Sequence, residues 1–148
     1  MGAPIAEETM TAQSVAAPSA AATPKAMLWT GRALSALFVL FMVFDMTIKF
    51  MALPVVAQTM ATIGWTPERG AAIAPIELLA LLLYVFPRTS VLGAILMTGV
   101  MGGAVATHMR VGDPLFSHIL FGVYLGLFAW GGLWLRDARL RTIMPWRT

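Results

Sequence analysis

Four apolar runs, Met27 to Leu53, Ala71 to Phe86, Val91 to Thr107 and Leu115 to Leu135, take up most of this 148-residue chain. Each is close to the ~20 residues an α-helix needs to cross a ~30 Å hydrocarbon layer. Arg32, Asp45, Lys49 and Glu77 are the only Asp, Glu, Lys or Arg residues inside them. A soluble fold of this length has too little interior to bury four such runs, and 11% charged residues falls far below the ~25% of a soluble domain. The chain therefore reads as a membrane protein. Four spans and three short connections use up the chain beyond its N-terminal tail, so one membrane domain is expected, over residues 27–137.

The tail, residues 1–26, is rich in Ala, Thr, Ser and Pro and has no basic residue before Lys25. It lacks both a core-forming pattern and the basic start of a signal peptide, and is expected to be disordered. The first apolar run exceeds the 7 to 15 residues of a signal-peptide core, which favours a retained anchor. Residues 138–148 form a short basic tail. Alternating crossings place Lys25, Arg32, Arg88, Arg136, Arg139, Arg141 and Arg147 on one side, and only Lys49, Arg69 and Arg110 on the other. Both termini are then cytoplasmic, in a multi-pass protein of the cell inner membrane. Trp29 and Trp65 near opposite ends of the first hairpin, and Trp134 and Trp146 around the exit of the last run, fit interfacial anchoring. No basic stripe interleaves with aromatics, so nucleic acid is not an expected partner.

Local chemistry bounds the helices. Thr66-Pro67-Glu68 reads as an N-cap followed by Pro at the first helical position, and Asp113-Pro114 reads as the same device. Pro54 closes the first run and Pro87 the second. Between Pro54 and Gly64 the chain is apolar at helical spacing but too short to span, which predicts a helix lying in the outer interface. The expected fold is all-α: an antiparallel four-helix transmembrane bundle with a short interfacial helix after the first span.

Asp45 and Lys49, four apart, share a helix face. Glu77 falls near the middle of the second run, His108 and Arg110 close the third, and Asp113 and His118 open the fourth. In the predicted topology all seven lie at the midplane or in the outer half, while the inner half offers only Tyr84 and Thr98. Each ionised group at bilayer depth costs ~2.5–3.5 kcal/mol on insertion scales, so these residues should turn inward and pair. Asp45 with Lys49 is the first expected pair, with Glu77 either joining Lys49 or staying protonated. Three readings stay open: a polar lock between helices, a buried site for a small apolar or quinone-like ligand, and a proton or solute path. Asp45, Lys49, Glu77, His108, Arg110 and His118 are the ligand-binding candidates; no catalytic residue can be named. No metal site is expected, because the histidines flank a turn and no His-x-x-x-His or Glu-x-x-His spacing occurs. The chain has no cysteine, which removes thiol relays, iron–sulfur ligation and thiolate zinc sites.

Gly99-x-x-x-Gly103 and Gly122-x-x-x-Gly126 place small residues on one face, as helices packed closely within a bundle do, with a homodimer seam as the alternative. The scattered methionines read as gap-fillers.

The run from Thr98 to Arg110, then Gly112-Asp113-Pro114-Leu115-Phe116-Ser117-His118, and the ending Trp130-Gly131-Gly132-Leu133-Trp134-Leu135-Arg136-Asp137 resemble the DoxX-like family of small four-helix bacterial membrane proteins. Lys49 and Glu77 also look like that family's polar positions. The resemblance covers about Leu28 to Asp137. It implies kinship with a membrane subunit of a thiosulfate:quinone oxidoreductase, and with relatives in membrane redox or detoxification complexes. That tilts the ligand reading towards a quinone, held by a quinone-associated or partner-anchoring component of a membrane redox or stress system. Without cysteine and without a flavin or haem motif, such a chain is not itself an electron carrier or a stand-alone enzyme, and a membrane or peripheral redox protein is the implied partner beside the lipid bilayer. The alternatives are an assembly protein without ligand, self-associating or bound to another protein, and a small proton-coupled transporter.

Overall fold

The structure, a computed structural model, describes residues 23–144, so the expectations for the tail through Ala22 and for Trp146 and Arg147 lie outside it. Among the described residues all regular structure is helical: α1 (Lys25–Phe50), α2 (Pro54–Thr62), α3 (Pro67–Val85), α4 (Ser90–Val111), a π-helical turn (Leu115–Ile119), α5 (Phe121–Arg136) and α6 (Ala138–Ile143).

Among the described residues, three helices are long and apolar enough to cross a membrane: α1, α4, and α5 together with the π turn that leads into it. α3 is 19 residues long, but Glu68, Arg69 and Glu77 set it apart from those three. α1 packs against α3 and α5, α4 packs against the same two helices, α2 lies on α3, and α6 lies on α5. Phe38, Met42, Tyr84, Met97 and Leu133 are the largest fully buried side chains. Leu40, Leu79 and Leu127 instead stand 67%, 58% and 65% exposed on the outside. Water would not tolerate such a surface, whereas hydrocarbon tails would cover it.

Glycines set how close the helices come, and not those the small-residue spacing suggested. A Cβ on Gly99, Gly103 or Gly126 would meet nothing within 4 Å among the described residues, so these positions are open. Only Gly122 of that set is closely packed: a Cβ there would lie 3.0 Å from the Met101 carbonyl oxygen. The tight approaches are at Gly31 and Gly132, where α1 meets α5 and a Cβ on Gly31 would lie 2.9 Å from the Gly132 carbonyl oxygen, and at Gly93, where a Cβ would run into the backbone of Tyr84 and Ala80.

Helix ends differ from the sequence reading at two points. Pro67 occupies the first turn of α3 with Thr66 at the N-cap, but the Thr66 side chain accepts no capping bond. Asp113 is not a cap at all: Pro114 precedes the π turn, and the Asp113 carboxylate turns back to His108 Nδ1 at 2.6 Å. A charged hydrogen bond to an imidazole outcompetes a neutral amide. Gly112, at φ +74°, ends α4 in the left-handed conformation that favours glycine. At the opposite end, Arg141 donates to the carbonyls of Trp134 and Leu135 and so satisfies the last turn of α5.

Polar groups at that end form a network the sequence did not announce. The Tyr84 hydroxyl, on a side chain with no exposure, donates to the Ala129 carbonyl at 2.9 Å and pairs with Ser35 Oγ at 2.9 Å. It links α3 to both α1 and α5. Phe38 packs edge-on against the Tyr84 ring, with centroids 5.0 Å apart.

Candidate functional site

The other end holds a cavity of about 450 Å³, within the ~300–1,000 Å³ of small-molecule sites. α1 contributes Phe41, Met42, Asp45 and Lys49, α3 contributes Ile73, Ile76 and Glu77, and α4 contributes the face from Gly99 to His108. α2 and the turn after it supply Thr59, Met60, Ile63 and Trp65, and His118, Phe121, Gly122 and Leu125 complete the wall. The open glycines Gly99 and Gly103 thus make room in a cavity rather than a close contact between helices of the chain.

The polar centre is a three-residue bridge. Lys49 Nζ lies 2.6 Å from Asp45 Oδ2 and 2.7 Å from Glu77 Oε1. The first contact follows from i,i+4 spacing on α1, and the second ties α1 to α3. Glu77 is 2% exposed, and its Oε2 is buried without a hydrogen-bond partner among the described residues. An unmatched buried acceptor costs about 1–3 kcal/mol, more when charged, so this oxygen needs an explanation. Pro75, two residues earlier in α3, has no amide proton, which leaves the Ala71 carbonyl without its usual helical donor.

His108 and His118 both reach the cavity and stack edge to face, with ring centroids 5.7 Å apart. An ionised Asp113 can only accept, so His108 Nδ1 carries the proton of their bond and a neutral His108 keeps its lone pair on Nε2. Ser117 Oγ lies 2.8 Å from His118 Nδ1.

The structure brings five of the six sequence candidates to one cavity and separates the sixth. Arg110 does not line it: its guanidinium donates to the carbonyl of Ile63, the residue that ends α2. It fastens to α4 the helix that closes the cavity. Phe41 and Phe121 were not singled out by sequence, because an aromatic in an apolar run looks like any core residue, and Trp65, read there as an interfacial anchor, also lines the cavity. Arg110→Ala is expected to loosen α2 by about 1.5–3 kcal/mol, the worth of a charge-assisted bond. Hydrogen exchange over residues 54–63 should accelerate while that of α5 stays unchanged.

Among the described residues no group of three or more His, Asp or Glu side chains is placed to hold a metal ion. A family model described as the DoxX-like family matches residues 33–132. The chain belongs to the DoxX-like family. The matched stretch contains every polar residue of the cavity and leaves out α6. DoxX-like membership and the three long apolar helices mark an integral membrane protein. Comparison with curated proteins returned no match, and neither did comparison with solved structures.

Proposed function

We propose that this DoxX-like chain binds a lipid-soluble quinone in the cavity and serves as a quinone-associated, partner-anchoring component of a membrane redox or stress system. The observation that carries the reading is the combination of a cavity of about 450 Å³ walled by Phe41, Met42, Trp65 and Phe121 with a fixed ammonium at its edge. Apolar walls suit a ring and its isoprenoid tail, and Lys49, held by two carboxylates, has a third proton for a ring oxygen. Asp45 and Glu77 orient that ammonium, while His108 and His118 offer imidazoles for proton exchange with the ligand. Electron transfer to or from the quinone falls to a partner protein, since the chain has no cysteine to carry an iron–sulfur or thiol centre.

In this reading α3 also crosses the bilayer, its charges tolerated because Glu77 faces Lys49 rather than lipid. α1, α3, α4 and α5 then form an antiparallel four-helix transmembrane bundle, with α2 in the outer interface and both termini cytoplasmic. A phosphatase reporter fused after Thr148 should be silent in a bacterial host and one fused after Gly112 active; the reverse pattern contradicts the orientation.

The ligand reading is tested by filling the cavity. Gly103 lines it and has open space beyond its Cα, so a leucine there enters the cavity. A decyl-substituted benzoquinone should quench the tryptophan fluorescence of the purified protein saturably, through Trp65, and Gly103→Leu should weaken binding at least tenfold. Undiminished binding to the variant would rule out the cavity as the quinone site.

A further inference from the structure

Resting on the reading that the cavity holds a quinone ring, we infer that it selects the reduced form, a quinol, through the free oxygen of Glu77. Lys49 and Glu77 together leave one donor and one acceptor without a protein partner among the described residues. The Lys49 ammonium has three protons and two carboxylate partners, and Glu77 has one oxygen on Lys49 and the other on no protein group among the described residues. A hydroxyl answers both: its hydrogen goes to Glu77 Oε2 and its oxygen accepts from Lys49. A quinone carbonyl answers only Lys49 and sets its own lone pairs beside the unmatched carboxylate oxygen. The end torsion of a glutamate is soft, so a modest rotation of the carboxyl turns Oε2 towards the ligand.

His108 points to the same ligand. With Nδ1 committed to Asp113, neutral His108 offers a second acceptor on the same cavity wall. A quinol carries two hydroxyl donors and a quinone none. A lipophilic amine would also donate to Glu77, but it would bring a positive charge beside the Lys49 ammonium and would have to enter from hydrocarbon.

The role of Glu77 has a distinctive consequence for Glu77→Gln. Lys49 can only donate, so the glutamine oxygen must stay on Lys49, which puts the amide NH2 where Oε2 stands. The acceptor becomes a donor, and the preference should turn over from quinol to quinone.

The experiment uses the full chain in lipid nanodiscs, with the decyl-substituted benzoquinone, its dithionite-reduced quinol and decylamine as probes, each measured by equilibrium binding. The wild type should bind the quinol at least tenfold more tightly than the quinone, equivalent to a rise of about 30 mV in the potential of the bound two-electron couple. Glu77→Gln should bind the quinone at least as tightly as the quinol. Equal or tighter binding of quinone by the wild type would overturn the selection while leaving the quinone site standing. Decylamine binding more tightly than quinol would overturn it in favour of a cation site. Binding of neither quinone nor quinol would remove the site itself. Should Glu77→Gln fail to fold, the wild-type ratio alone decides.

Discussion

Lys49→Met should destabilise the protein by about 3–5 kcal/mol, the usual effect of removing one partner from a buried ion pair. The lysine answers two carboxylates at once, 2.6 Å from Asp45 and 2.7 Å from Glu77, and its removal leaves Glu77 with neither oxygen bonded. The Asp45 side chain, 24% exposed, can recruit water, whereas the buried Glu77 carboxylate cannot. The loss should therefore be carried mainly by Glu77, and Lys49→Met with Glu77→Met should recover most of it, because an apolar pair of similar volume is often as stable as the ion pair it replaces. Thermal unfolding in mild detergent, followed by tryptophan fluorescence, measures both. A double variant no better than the single one would mean that the bridge holds more than its own charges.

Gly93→Ala should cost about 1–3 kcal/mol, as overpacking of a close contact does. Its Cβ would meet the backbone nitrogen and Cα of Tyr84 and, at 2.7 Å, the carbonyl oxygen of Ala80, none of which can rotate aside. α3 and α4 must part, and Tyr84 then strains its bonds to Ser35 and to the Ala129 carbonyl. Gly126→Ala is the contrasting case: nothing among the described residues lies within 4 Å of the added Cβ, so the protein should hold its stability or gain up to ~1 kcal/mol from better helix propensity. The same unfolding measurement ranks the two, and equal losses would contradict the packing described.

Much of the helical content was legible in the sequence, because long uncharged runs have few alternatives to a membrane helix and Pro54, Pro67 and Pro87 mark where helices stop or start. The Asp45–Lys49 pair followed from spacing alone. That Glu77 joins it was one of two outcomes left open, since reach between helices depends on their rotation, which no single-helix pattern contains. The glycines show the same limit. Gly99, Gly103 and Gly126 carry the spacing of a close seam, yet the nearest backbones meet at Gly31, Gly93 and Gly132, where partner positions lie on distant segments. Asp113 beside Pro114 looked like a cap because the rule considers only neighbouring amides, and His108, five residues back, is the stronger partner. Arg110 shared its neighbours' chemistry but took a backbone carbonyl on α2, which sets the cavity's closure rather than its wall. Tyr84 was visible as a polar residue of the inner half and Ser35 was passed over, and only the fold makes them one network.

If the cavity between Lys49, Glu77 and the α2 closure holds a quinone, the quinone content of the purified protein is the most direct measurement of it. Mass spectrometry of an organic extract from wild type and Gly103→Leu, both prepared in mild detergent from the same membranes, should find quinone or quinol near one per chain in the wild type and at background in the variant. Equal amounts in the two, or none in either, would contradict a quinone held at this site.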